Sequence, residues 1–153
     1  MIDLPPFLLG KVTPDKYRHW LHRKAAALVR RDKKRGNQTA KRPGYEQAIH
    51  IAVLKSKGFD AYTGEPLNWS LIGTYDNAQS KALRRDYKAT LALLPTVDHI
   101  GDGLGPADFE ICGWCTNDAK NDLSHRDFVA LCRKVVAHAE SVHRLPPRVA
   151  AEP

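Results

Sequence analysis

The sequence predicts an α+β fold, a helical N-terminal portion packed on a compact ββα unit. Two observations carry this. Helical periodicity dominates the first ninety residues, and the order strand, glycine-rich loop, strand, helix follows within about forty residues. At 153 residues the chain reads as one domain. Residues 1–13 are an N-terminal segment, 14–95 a basic helical portion with a turn region, 96–143 the ββα unit and the helix after it, and 144–153 a disordered tail.

The first helix opens at Pro14 or Asp15 and runs to Gly36, with Tyr17, Leu21, Ala25 and Leu28 in helical phase and Trp20 and Val29 widening the stripe. "GNQTAKRPG" is a loop. "YEQAIHIAVLKSKG" forms a second helix with Ala48, Ile51, Ala52 and Leu54 inward and Gly58 as its stop. "FDAYTGEPLNW" is a tight turn between short extended pieces, punctuated by Gly64 and Pro66. "DNAQSKALRRDYKATLALL" is a third helix that Pro95 ends. "TVDHI" and "FEIC" pair as strands around "GDGLGPAD". Ser124 and Asp127 cap a last helix whose apolar face holds Phe128, Leu131, Val135 and Val142.

Charge is unevenly divided. Residues 1–42 hold 12 Lys and Arg against three Asp, a net of +9, while the remainder carries −2. Arg18, Arg23, Lys24, Arg30, Arg31, Lys33, Lys34 and Arg35 on the first helix form the expected phosphate-contacting surface, which gives affinity without sequence information. The same charges would serve as a solvated face that aids solubility. An apolar share of 42% and a charged share of 27% are ordinary for a globular chain, and no run approaches a membrane span. No membrane partner is expected. Three cysteines argue against a disulfide scaffold and for a reducing compartment, so the expected location is the cytoplasm.

"LLPTVDHIGDGLG" sets a carboxylate beside an imidazole at a strand end. Asp98 and Asn117 offer hard oxygen donors of the kind Mg²⁺ prefers, and a neutral His99 can take a proton from water near pH 7. Neighbours on a strand point to opposite faces, so joint use of Asp98 and His99 needs a bend, which Gly101 and Gly103 permit. A strand-end aspartate and a partly exposed histidine in a plain hairpin would have the same sequence.

"VDHI" followed by "DFEICGWCTNDAKNDLS" resembles the HNH endonuclease superfamily and its ββα-metal motif, and "DAYTGEPL" resembles the knuckle that precedes the motif in many members. The resemblance covers about residues 58–132 and leaves the basic arm without a counterpart. It implies metal-dependent cleavage of DNA phosphodiester bonds, with His99 as general base. Asp98 and Asn117 would be ligands of one divalent cation, Mg²⁺ or Mn²⁺. Lys120 matches the lysine after the last ligand and would steady a phosphate. Asp108 stands where the family has the asparagine that orients the histidine, and an ionised carboxylate accepts hydrogen bonds without donating any.

Many relatives hold a structural zinc in two C-x-x-C knuckles. Here those positions are Asp60 and Thr63, then Gly113 and Thr116, while Cys112 and Cys115 each lie one residue early. A Cys₄ site cannot form in one chain, so no structural zinc is expected and Cys112, Trp114 and Cys115 read as packing residues. A finger built from Cys112, Cys115, His138 and His143 fails on its long connection. On one helix its two histidines would stand about 140° apart.

His19 and His22 share a basic helical face that repels cations, and His50 reads as a core-edge histidine. Nucleotide-binding loops and a nucleophile elbow are absent from the sequence. A homodimer is compatible with the sequence, though no residue pattern requires one. The competing reading is a non-catalytic nucleic-acid-binding module that keeps the scaffold.

Overall fold

The structure is a computed structural model describing residues 2–142. Its helices are α1 (Pro14–Arg35), α2 (Arg42–Ser56), α3 (Asn77–Leu83), α4 (Arg85–Thr90), α5 (Trp114–Lys120) and α6 (His125–Ser141). Its strands, β1 (Pro95–His99) and β2 (Phe109–Gly113), form a two-stranded antiparallel sheet, so the architecture is α+β. The chain divides into two compact units, residues 1–119 and 120 onward. The tail expected at 144–153 and His143 lie outside the described residues.

Thr13 caps α1 by accepting from the Lys16 N–H, Pro14 supplies the first turn, and Gly36 closes it at φ 110°. The buried face of α1 is Tyr17, Trp20, Leu21, Ala25, Leu28 and, continuing the same phase, Asp32. α2 packs against α1 and against β2. Trp69 sits at the centre of the core, edge-on to Trp20 at 5.5 Å and to Phe7 at 6.4 Å.

Four expectations are corrected. α2 buries Tyr45, Ile49, Ala52 and Val53, whereas Ile51 and Leu54 are 55% and 44% exposed. Its inward stripe is set by Tyr45, which reaches Asp32 on α1, and that rotates Ile51 and Leu54 toward water. The third helix is two helices, because Arg84 takes φ 47°, ψ −111° between α3 and α4. Pro95 opens β1, the backbone having left helical geometry at Leu91. Cys112 is buried as expected, but Cys115 is exposed, since α5 begins at Trp114 and turns the next side chain outward. Trp114 itself is half-buried under Tyr75, edge-on at 5.7 Å.

In the second unit Ser124 caps α6 by accepting from the Asp127 N–H, as its pattern predicts. The apolar face is present but no residue of α6 is buried.

Candidate functional site

The β1–β2 register sets Asp98 opposite Glu110 and His99 opposite Phe109. The bend that joint use needs comes only after His99, at Ile100 and Gly101, so alternation along β1 sends the two neighbouring side chains to different partners, Tyr62 and Asp32. His99 packs edge-on against Phe109 at 4.9 Å, and its Nε2 lies 2.8 Å from Oδ2 of Asp32. Asp32 is fully buried, and the same oxygen accepts from the Tyr45 hydroxyl at 2.8 Å. Its other oxygen faces Arg31 Nε at 3.5 Å. With Asp32 accepting, Nε2 carries the hydrogen, and Nδ1 lies 3.2 Å from the Ile100 carbonyl. Burial, then the bond to Asp32, pushes the Tyr45 hydroxyl up to about 12, so it remains a donor at neutral pH.

The loop after β1 is held by the same corner of α1. Asn37, just past the helix, is buried and donates to the carbonyls of Gly103 at 2.8 Å and Gly105 at 3.3 Å. Its own oxygen accepts from the Thr39 N–H and hydroxyl. Gly103 has φ 80°, and a Cβ there would stand 2.7 Å from Asp32 Oδ1, so the loop can lie on the carboxylate only through a glycine.

Asp98 is buried and accepts from the Tyr62 hydroxyl. Burial, then that bond and the charges of Asp98 and Glu110, raises the Tyr62 hydroxyl well above its ordinary range. Cross-strand partners on one face have Cβ atoms about 5 Å apart, so Asp98 and Glu110 offer two carboxylates together.

Asn117 lies half-buried in the middle of α5, directly after β2. Lys120 is the last residue of α5 and belongs to the second unit. Asp108 is exposed, and its backbone carbonyl accepts from the Ile100 N–H. The carboxylate that meets the histidine ring is Asp32. On α1, Arg18, Arg23, Arg30, Arg31, Lys33, Lys34 and Arg35 are exposed, and Lys24 is half-buried with its ammonium 3.2 Å from Thr96 Oγ1. Arg18 pairs with Asp15 within the helix. His22 meets Glu46 at 3.0 Å, and His50 accepts from the buried Tyr17 hydroxyl at 2.8 Å.

The two knuckle positions are joined by a carboxylate. Asp60 Oδ1 accepts from the Tyr62 and Thr63 N–H groups at 2.7 and 3.1 Å. Its Oδ2 accepts from the Gly113 N–H and the Thr116 hydroxyl at 2.7 and 2.8 Å. A Cβ at Gly113 would stand 2.8 Å from the Ala92 carbonyl, so glycine is required where the backbones meet.

Asp32, Asn37, Tyr45, Tyr62 and Glu110 were not singled out by sequence reasoning. Asp32 left a signal: it is the one carboxylate inside "RRDKKR" and stands in phase with Tyr17, Leu21, Ala25 and Leu28. Glu110 was legible from hairpin register. Asn37, Tyr45 and Tyr62 depend on contacts across the fold and left none.

No protein family, curated protein or solved structure matches this chain.

Among the described residues no group of three or more His, Cys, Asp and Glu could hold a metal ion. Asp98 and Glu110 are register partners and Asn117 lies on the following helix, residue types that suit a cation which needs only one or two carboxylates and keeps its own water. Softer, fully protein-coordinated ions do not suit it.

Proposed function

We propose that the chain is an HNH-type, metal-dependent endonuclease that hydrolyses DNA phosphodiester bonds with His99 as general base. One observation carries the reading: His99 ends β1 with Nε2 on a fully buried Asp32 that Tyr45 also holds. Burying a carboxylate costs several kcal/mol unless it is well bonded, and a plain hairpin has no need of one behind a strand-end imidazole. Such a mounting fixes the tautomer and orients the ring, which is what a proton acceptor requires.

In this reading Nδ1 gives up its contact with the Ile100 carbonyl and takes a proton from the attacking water, while the Nε2–H stays on Asp32. The imidazolium so formed is stabilised by Asp32. Asp98, Glu110 and Asn117 would hold Mg²⁺ or Mn²⁺, which supplies charge stabilisation at the phosphate and its leaving oxygen. The exposed cations of α1 hold the phosphate backbone.

The test is plasmid nicking by the wild type and His99→Ala with Mg²⁺, Mn²⁺ or EDTA. Metal-dependent nicking that falls by about a hundredfold or more in His99→Ala is expected for loss of a general base. Nicking that His99→Ala leaves unchanged would sink the assignment.

A second reading rests on a separate observation, the exposed basic face of α1. It makes the protein a nucleic-acid-binding module without turnover. Binding would then ignore EDTA and fall steeply with salt, and no metal would support nicking.

A further inference from the structure

Beside α1, at the opposite end of β1 from His99, lies a cleft of about 640 Å³, within the range of small-molecule sites. One wall is cationic: Lys16 and, two turns further along α1, Arg23 and Lys24 line it, with His19 between them. The other is apolar and aromatic, made by Tyr75, Leu94 and Pro95, with Trp20 at the base. Tyr75 is 47% exposed and its ring is braced by Tyr87 and Trp114, at 5.8 and 5.7 Å. The single carboxylate of the lining, Asp15, is already engaged by Arg18.

Lys24 is the informative group. Its ammonium donates to Thr96 Oγ1, which leaves two of its three N–H groups for another partner. Burial, and the Arg23 charge beside it, lower its pKa. Among the described residues no carboxylate pairs with it. A cation drawn out of water this way gains most from an anion brought to it. The Lys16 ammonium, anchored on the Ser70 carbonyl at 3.3 Å, and the planar Arg23 fork flank the same space. A braced aromatic face across from a cationic wall matches a planar base joined to a phosphate.

We infer that this cleft binds a nucleoside monophosphate unit, with the phosphate on Lys24, Arg23 and Lys16 and the base against Tyr75. The inference rests on the nucleic-acid reading above for its class of ligand and adds a place that reading does not contain. From Pro95 to His99 is about 13 Å along the strand, so a chain held in the cleft has to run only a few nucleotides to reach the imidazole. The occupant is a free nucleotide or one unit of a single strand, and the chemistry of recognition is the same for both.

The experiment is calorimetric titration of the full chain in EDTA with adenosine monophosphate, adenosine, inorganic phosphate and a single-stranded octadeoxyadenylate. Lys24→Met, Tyr75→Ala and Arg23→Gln are titrated alongside, with circular dichroism and thermal midpoints as the folding check. Adenosine monophosphate should bind at least tenfold more tightly than adenosine or phosphate. Lys24→Met and Tyr75→Ala should each weaken it by tenfold or more. An octamer that binds tenfold more tightly than the monophosphate, and loses that affinity in the same variants, names a strand as the occupant. An octamer no tighter than the monophosphate names the free nucleotide. If folded Lys24→Met and Arg23→Gln bind both probes like the wild type, or if neither probe binds the wild type, the inference is overturned. Because no metal or turnover enters this titration, its failure is separate from failure of the nicking assay.

Discussion

Asp32 joins three parts of the first unit at one pair of oxygens: the end of α1, Tyr45 of α2 and His99 of β1. Replacing Asp32 with Asn puts a donor where only donors point, at a fully buried site. The expected loss is about 2–3 kcal/mol, read as a fall in the urea midpoint at unchanged m-value. Nicking should fall with it, since an amide cannot stabilise the imidazolium. Gly103→Ala attacks the same contact from the loop side, through a left-handed φ and a Cβ 2.7 Å from Asp32 Oδ1. A loss of about 1–3 kcal/mol is expected. His50 gives a pH effect. Its folded pKa is lowered, chiefly by burial, and as a neutral acceptor it takes the Tyr17 hydroxyl. The unfolded chain therefore binds the proton more readily, and stability is lost as pH falls below the unfolded value of about 6.5. Thermal midpoints between pH 7.5 and 5.5 should drop less in His50→Gln than in the wild type.

At the scale of elements, Asp60 is the staple between the turn at 60–63 and the junction of β2 with α5. It binds four donors from two segments more than fifty residues apart in sequence. Hydrogen bonds to a charged acceptor do here what metal–thiolate bonds would do in a C-x-x-C pair. Asp60→Ala should therefore cost about 2–4 kcal/mol by leaving buried donors unpaired. A chelator should leave the wild-type midpoint where it is, and a fall on chelation would overturn the staple. The joint between α3 and α4 is a second element-scale feature. Arg84 holds a conformation that suits glycine, so Arg84→Gly should raise stability by about 1 kcal/mol, seen as a thermal midpoint higher by roughly 2–4 °C.

For the molecule as a whole, the basic surface of α1 stands outside the HNH resemblance, yet the first unit is built on this helix. Its inner face supplies core and the carboxylate behind His99, and its outer face supplies exposed cations. Losing Arg30, Lys33 and Lys34 together to Gln should weaken DNA binding alike for every sequence and flatten the salt slope by about two to three units, with the fold intact. No helix among the described residues is long and apolar enough to cross a membrane.

The sequence by itself determined the helices with strong phase and good ends: α1 from Pro14 or Asp15 to Gly36, and α6 from Ser124. It also determined the β1–β2 hairpin, because local spacing, caps and glycines act within a few residues. It brought Asp98 and His99 to a strand end. Only the tertiary structure decided which face of α2 is inward, that Arg84 splits a helix, and which carboxylate meets His99. Those outcomes depend on pairs far apart in the chain, such as Asp32 with His99, Asn37 with Gly103 and Asp60 with Gly113. Such pairs form only where packing has excluded water, and periodicity carries no record of a partner sixty residues away.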